Sequence, residues 1–244
     1  MSERGVLLVN LGSPKSTQVA DVRRYLNQFL MDPFVVDLPW PARRLLVSLI
    51  LLTRPKASAH AYASIWWEDG SPLLVISRRV QQALQQQLDM PVELAMRYGE
   101  PSIEQGLLAL AARPGIREVL FMPQYPQHAD STITTSVHEA QRVIKQHGLD
   151  IRLNVVPAFY DRPNYLAALA DSMRPYLAQG FDHLLLSYHG LPERHLRKAD
   201  PTGAHCLASG DCCERASAAH ATCYRAHCSY VSRELAARLE LAPE

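Results

Sequence analysis

The apolar positions of this chain change period along its length. Residues 5–11, GVLLVNL, form an unbroken apolar run closed by Gly12-Ser13-Pro14, which predicts a strand buried on both faces. Val19, Val22, Tyr25, Leu26, Phe29 and Leu30 then recur at helical spacing. The pattern stops at Asp32-Pro33, because the residue before a proline disfavours the helical region. A second apolar run, LLVSLILL at 45–52, lies between Arg43-Arg44 and Arg54-Pro55-Lys56. It reads either as a buried helix or as a greasy lip at a pocket mouth or membrane surface, and different faces of one helix can serve both.

Beyond Ile65-Trp66-Trp67 and the turn Gly70-Ser71-Pro72, an amphipathic helix is expected to run to about Leu88. A regular alternation follows, with strands predicted at 92–96, 118–122 and 151–156 and helices at 102–112, 134–147 and 163–177. Strands alternating with helices of this length mean an α/β chain with a parallel sheet covered on both faces. Right-handed crossovers then bring every strand's carboxyl end to one edge. Leu184-Leu185-Leu186 reads as one more buried strand, delivering Ser187, Tyr188 and His189 to the turn Gly190-Leu191-Pro192. Carboxyl ends of such strands open into the ligand crevice, where an imidazole is a candidate base or metal ligand. The competing reading of His189 is a histidine that only hydrogen-bonds within its turn.

Composition narrows the class. With 244 residues, 48% hydrophobic and 20% charged, the chain suits one large or two modest soluble domains. A formal net charge of +1 offers no bulk attraction to nucleic acid or anionic membrane. No secretory signal opens the chain and no apolar run approaches the ~20 residues of a spanning helix, so a cytoplasmic enzyme is expected. The sequence has no GxGxxG, no P-loop and no Gly-x-Ser-x-Gly elbow, which argues against dinucleotide, P-loop and α/β-hydrolase chemistry.

The cysteines are confined to one segment: Cys206, Cys212, Cys213, Cys223 and Cys228. Clustered thiols in a cytoplasmic chain point to metal or redox chemistry before structural disulfides. Four thiolates are what a [2Fe–2S] cluster requires, thiolates also hold zinc, and the absence of CxxC counts against a zinc ribbon. Adjacent Cys212 and Cys213 are poorly placed to ligate one small cluster together. The expected ligands are therefore four of the five: Cys206, one of Cys212 and Cys213, Cys223 and Cys228. Buried thiols without metal are the simpler alternative.

Four segments, VNLGSP, IWWEDGSPL, MPQYPQHADST and LLLSYHGLPERH, occur in this order from about residue 5 to about residue 200. Together they resemble the ferrochelatase family, which inserts ferrous iron into protoporphyrin. The resemblance implies two flavodoxin-like, chelatase-type three-layer domains with parallel sheets and a porphyrin held in the cleft between them. Residues 1–160 match the first, with a hydrophobic lip at about 30–54. Residues 161–244, including the cysteine segment, match the start of a second that reads as cut short before the glutamate the family sets opposite its histidine.

By the same resemblance His189 is the active-site histidine facing the Fe²⁺ substrate. Tyr125 is a pocket residue, Leu11 lies against the macrocycle, and Arg54 or Lys56 meets a propionate. Protoporphyrin IX and ferrous iron are the implied partners, with peripheral membrane contact through the lip and no nucleic acid. Some bacterial members carry a cluster on internal cysteines, and the cysteine segment resembles theirs. Asp130 stands where animal members place their first cluster ligand, so the animal arrangement does not carry over. Two other functions compete: a porphyrin- or haem-binding protein without turnover, and a redox or iron-sensing module built on the cysteines.

Overall fold

The computed structural model, which describes residues 3–241, is organised on a four-stranded parallel sheet. Its strands are β1 (Arg4–Gly12), β2 (Val92–Tyr98), β3 (Glu118–Pro123) and β4 (Arg152–Val155), in the order β2-β1-β3-β4. The register pairs Val9 of β1 with Ala95 of β2 and Leu7 with Phe121 of β3. This is the flavodoxin-type order, in which chain direction across the sheet reverses between β1 and β3.

Successive side chains of a strand point to opposite faces, and β1 uses both. Leu7 and Val9 pack with Ala95, Val119 and Phe121 against Ile103, Leu107 and Leu110 of α4 (Ile103–Ala111) and Ala140 and Val143 of α5 (Thr135–His147). Val6 and Leu8 pack on the other face with Leu94 and Met96, against Leu74 and Leu84 of α3 (Pro72–Gln85). The unbroken apolar run at the start of the chain therefore has the expected cause: β1 is central and covered twice. Gly106 lets α4 close on the sheet, since a Cβ there would lie 2.5 Å from the Leu7 Cδ1. Ser102 begins α4 with a capping box to Gln105, which satisfies two amide groups the helix start leaves open.

The first helix, α1 (Val19–Leu30), follows its predicted spacing closely. The second, α2 (Trp40–Ile65), is much longer than its apolar run and carries Pro55 within it. Val47, Leu51, Pro55 and Ala59, four residues apart, form one buried stripe. Leu45, Leu49 and Leu52 turn outward, and Leu52 is 70% exposed. The buried-helix reading thus holds for one face of the run, while the other face is exposed. Among the described residues no helix is long and apolar enough to cross a membrane.

The chain resolves into two compact units. One takes in the chain up to Gln124 together with Ser131–Val156; the other takes in Tyr125–Asp130 and the chain from Pro157 onward. The second unit contains α6 (Pro163–Leu177), α7 (Glu193–Lys198) and α8 (Tyr224–Arg238). Leu166 and Ala170 of α6 pack on Val231 and Leu235 of α8.

The strand expected at 184–186 is not formed. The segment is irregular, and Leu185 is 88% exposed. A strand is held by ladder hydrogen bonds to a neighbour. Among the described residues the second unit supplies none, so the parallel sheet expected there is absent as well. Apolar composition alone does not make a strand.

Candidate functional site

At the carboxyl edge of the first unit's sheet, a buried carboxylate gathers three elements. Asp32, just past α1, is 4% exposed. Its Oδ2 accepts from the Arg97 guanidinium at 2.5 Å, the Tyr98 hydroxyl at 2.9 Å and the Thr135 hydroxyl at 2.5 Å. Its Oδ1 accepts from the Phe34 amide at 2.8 Å. Arg97 also donates from Nε to the Thr135 hydroxyl, and its guanidinium lies over the Tyr98 ring. Burial, reinforced by the Asp32 charge, pushes the Tyr98 phenol far above its ordinary value, so it acts here as a hydrogen-bond donor only. The network ties the end of α1, the end of β2 and the start of α5 into one rigid edge.

The residues expected to touch a porphyrin from this unit behave differently from one another. Leu11 is half-buried near the end of β1, where its amide bonds to the Asn10 side chain at 2.8 Å. Arg54 and Lys56 are exposed on α2, on either side of buried Pro55. They follow the outward-facing leucines along α2, so exposed cations and an exposed apolar face share one helix.

In the second unit, Tyr125 is half-buried in a short segment held by backbone bonds. The Pro126 carbonyl accepts from the Phe159 and Tyr160 amides, each at 3.0 Å. The His128 amide donates to Nδ1 of His227 at 3.1 Å.

His189 is exposed, and its position is set from α8. Its amide donates to the Tyr224 hydroxyl at 3.2 Å, and the Tyr188 hydroxyl lies 3.0 Å from that of Ser232. The turn is thereby pinned while the imidazole stays open to solvent. The strand-end setting was the wrong reason for singling out His189, because no strand precedes it. Gly190-Leu191-Pro192 still turns the chain immediately after it.

The cysteine segment is compact. Cys206, Cys213 and Cys223 share a small buried cluster with Ala219 and Ala226, and Cys212 is also buried. Burial pushes the Cys206 thiol up to about 12, with the neighbouring Cys223 thiol adding to the shift. Burial and Cys212 push Cys213 up to about 11. Cys228 stands apart beside the Tyr224 hydroxyl, and burial raises it to about 11. The Asp200 carboxylate shapes this loop, accepting from the amides of Thr202, His205 and Cys206 and from the Thr202 hydroxyl. Among the described residues no three His, Cys, Asp or Glu side chains converge in a metal-holding arrangement. The thiols are neighbours without forming a ready ligand set.

Sequence reading passed over two groups. Asp32 entered only as a helix stop, although a charged Arg97 directly after the apolar run Leu94-Ala95-Met96 signals a buried partner. His227 carried no signal, since nothing local distinguishes a histidine that will be enclosed by distant aromatic rings.

Comparison with known proteins covers almost the whole chain. A family model described as ferrochelatase matches residues 3–244. The chain is 65% identical over 243 residues to a ferrochelatase of Stutzerimonas stutzeri, covering 99% of this chain and 71% of the relative. It is 64% identical over 246 residues to one from Ectopseudomonas mendocina, covering 100% and 72%. With one from Azotobacter vinelandii the figures are 61% over 243 residues, covering 99% and 72%.

Proposed function

Because this chain belongs to the ferrochelatase family, we propose that it acts on a porphyrin and ferrous iron, with His189 as the residue that meets the reacting centre. The observation that carries the assignment of His189 is its setting in the matched SYHGLP segment. Its backbone is fixed by Tyr224 and its ring is exposed. Insertion of Fe²⁺ into a free-base porphyrin releases two pyrrole protons, one metal dication replacing two hydrogens. A neutral imidazole can take such a proton near neutrality and pass it to water, or can ligate Fe²⁺ on its way in.

Around this step the other matched residues take supporting roles. Leu11 and Tyr125 offer surface to the macrocycle. Arg54 and Lys56 offer charge to a propionate, and the outward leucines of α2 offer an apolar face to porphyrin or to a membrane surface. Protoporphyrin IX is the proposed porphyrin and the cytoplasm, with peripheral membrane contact, the proposed location. A binding protein without turnover is the weaker reading, since the relatives matched over nearly all of this chain carry the enzyme's name.

A [2Fe–2S] cluster remains the proposed occupant of the cysteine segment, and the neighbouring thiols of Cys206, Cys212, Cys213 and Cys223 support it. The segment would have to rearrange to bind it, because no ligand set converges among the described residues. Cluster ligation would require thiolates from groups whose protons are now held by burial. Anaerobically purified protein with visible cluster absorption, iron and acid-labile sulfide supports the proposal; absence of all three ends it.

The function itself is tested by iron-dependent loss of porphyrin fluorescence. Substituting His189→Ala is expected to lower the rate at least about 100-fold while leaving thermal stability within about 0.5 kcal/mol, as for an exposed residue. An unchanged rate removes His189 from the chemistry.

A further inference from the structure

At the carboxyl ends of β1 and β2 the first unit encloses a cavity of about 720 Å³, within the usual size range of small-molecule sites. None of the residues assigned above to porphyrin lines it. One face of α1 contributes Asp21, Arg24, Tyr25 and Gln28, spaced as neighbours on a helix surface. The opposite wall comes from Leu74 and Arg78 of α3 and from the chain after β2. Its floor is tight, since Gly99 has φ +82° and a Cβ there would lie 2.8 Å from the Ser13 carbonyl oxygen.

The charges in this cavity do not cancel. Arg24 is committed to Asp21 at 3.0 Å, and Asp21 also accepts from the Ser16 hydroxyl at 2.6 Å. Lys15, Arg78 and Glu100 remain, and Lys15 and Arg78 have no ion-pair partner among the described residues. Two uncommitted cations against one carboxylate leave a local positive surplus. Ser13 in the wall is 5% exposed, and its buried hydroxyl has no hydrogen-bond partner among the described residues. Buried hydroxyls are ordinarily satisfied, so this one is short of an acceptor or donor that a ligand oxygen would provide.

From these features we infer that the cavity binds a small organic anion, a carboxylate- or phosphate-bearing molecule. Its oxyanion is held by Arg78 and Lys15 with the Ser13 hydroxyl, and its apolar part lies on Leu74 and Pro14. A guanidinium fork suits either group, and the solvent-exposed cations make binding salt-sensitive.

Isothermal titration calorimetry of the full chain at low salt, with citrate and with inorganic phosphate as probes, tests this. At least one probe is expected to bind. Arg78→Gln is expected to weaken it about tenfold, the loss of one charge-assisted contact, with an unchanged melting temperature because Arg78 is exposed. Ser13→Ala weakens binding less. Arg117→Gln, at the opposite end of the sheet, leaves it unchanged. Preference for citrate identifies a carboxylate ligand and preference for phosphate a phosphoryl one. No heat with either probe, or an affinity that Arg78→Gln does not alter, overturns the inference. Arg78→Gln decides the matter even if Ser13→Ala fails to fold, and neither result depends on the porphyrin assignment.

Discussion

The imidazole of His227 lies flat on the ring of Tyr160, with centroids 3.7 Å apart and planes 11° from parallel. Both ring nitrogens are used. Nδ1 accepts the His128 amide at 3.1 Å, and Nε2 lies 2.6 Å from the His220 carbonyl, to which it donates. That pattern demands the neutral tautomer protonated at Nε2, because a second proton at Nδ1 would face another N–H. Burial, the largest cause, lowers the group to about 4.

Stability should therefore fall with acid in a defined window. The folded value lies below the ordinary histidine value, so His227 is neutral in both states at neutral pH. As pH drops below about 6.5 the unfolded chain takes a proton that the folded chain refuses, and the loss continues to about pH 4, amounting to on the order of 2 kcal/mol. Urea melts at pH 7.5, 6 and 5 measure it. A His227→Gln variant, which keeps a donor but does not titrate in this range, should lose less stability between those values than the parent.

Asp32 should be a point of failure for the first unit. Removing it with Asp32→Ala leaves Arg97 without its charge partner and deprives two hydroxyls of an acceptor, at a cost of about 3 kcal/mol or more. Denaturant unfolding should show this as a lower midpoint. Asp32→Asn, which keeps an oxygen acceptor, should cost less. Equal losses would show that the charge contributes nothing.

Gly12 should tolerate no side chain. Its φ is +109°, and a Cβ would stand 1.8 Å from the Tyr98 carbonyl oxygen, a backbone atom that cannot step aside. Gly12→Ala is expected to cost about 3 kcal/mol, whereas Gly115→Ala, with open space around it, should cost only the strain of its positive φ, about 1 kcal/mol. Thermal melts of the pair compare them directly.

The outward face of α2 can be separated from its inward stripe. Leu45, Leu49 and Leu52 replaced together by serine should change stability little, since each is already exposed. Val47→Ala should cost about 1–2 kcal/mol by emptying part of the buried stripe. If the outward leucines serve the proposed membrane contact, the triple variant should sediment less with anionic lipid vesicles than the parent. Equal sedimentation would leave that face without this role.

Much of the first unit was legible in the chain. GVLLVNL reads as a twice-covered strand because β1 is one, and the helices at 19–30, 103–111 and 135–147 lie close to their predicted spans, as does 163–177 in the second unit. Periodicity reports burial, and burial there is decided by local elements stacking in order. Leu184-Leu185-Leu186 misled for the same reason: the run has a strand's composition, but strand formation depends on a neighbour that composition does not encode. The extent of α2 was also understated, because its polar second half gives no apolar run to read.

By itself the sequence determined the α/β alternation, the family through four ordered segments, and the crowding of five thiols into one stretch. Tertiary structure alone decided which groups meet across long separations: Asp32 with Arg97 and Thr135, Tyr160 with His227, and Ser13 with Arg78 around one cavity. The division has a physical cause. Helix and strand periods are short-range properties carried within a dozen residues. Hydrogen bonds and ring contacts between residues 65 to 103 positions apart exist only once the sheet order and helix packing have brought them within a few ångströms.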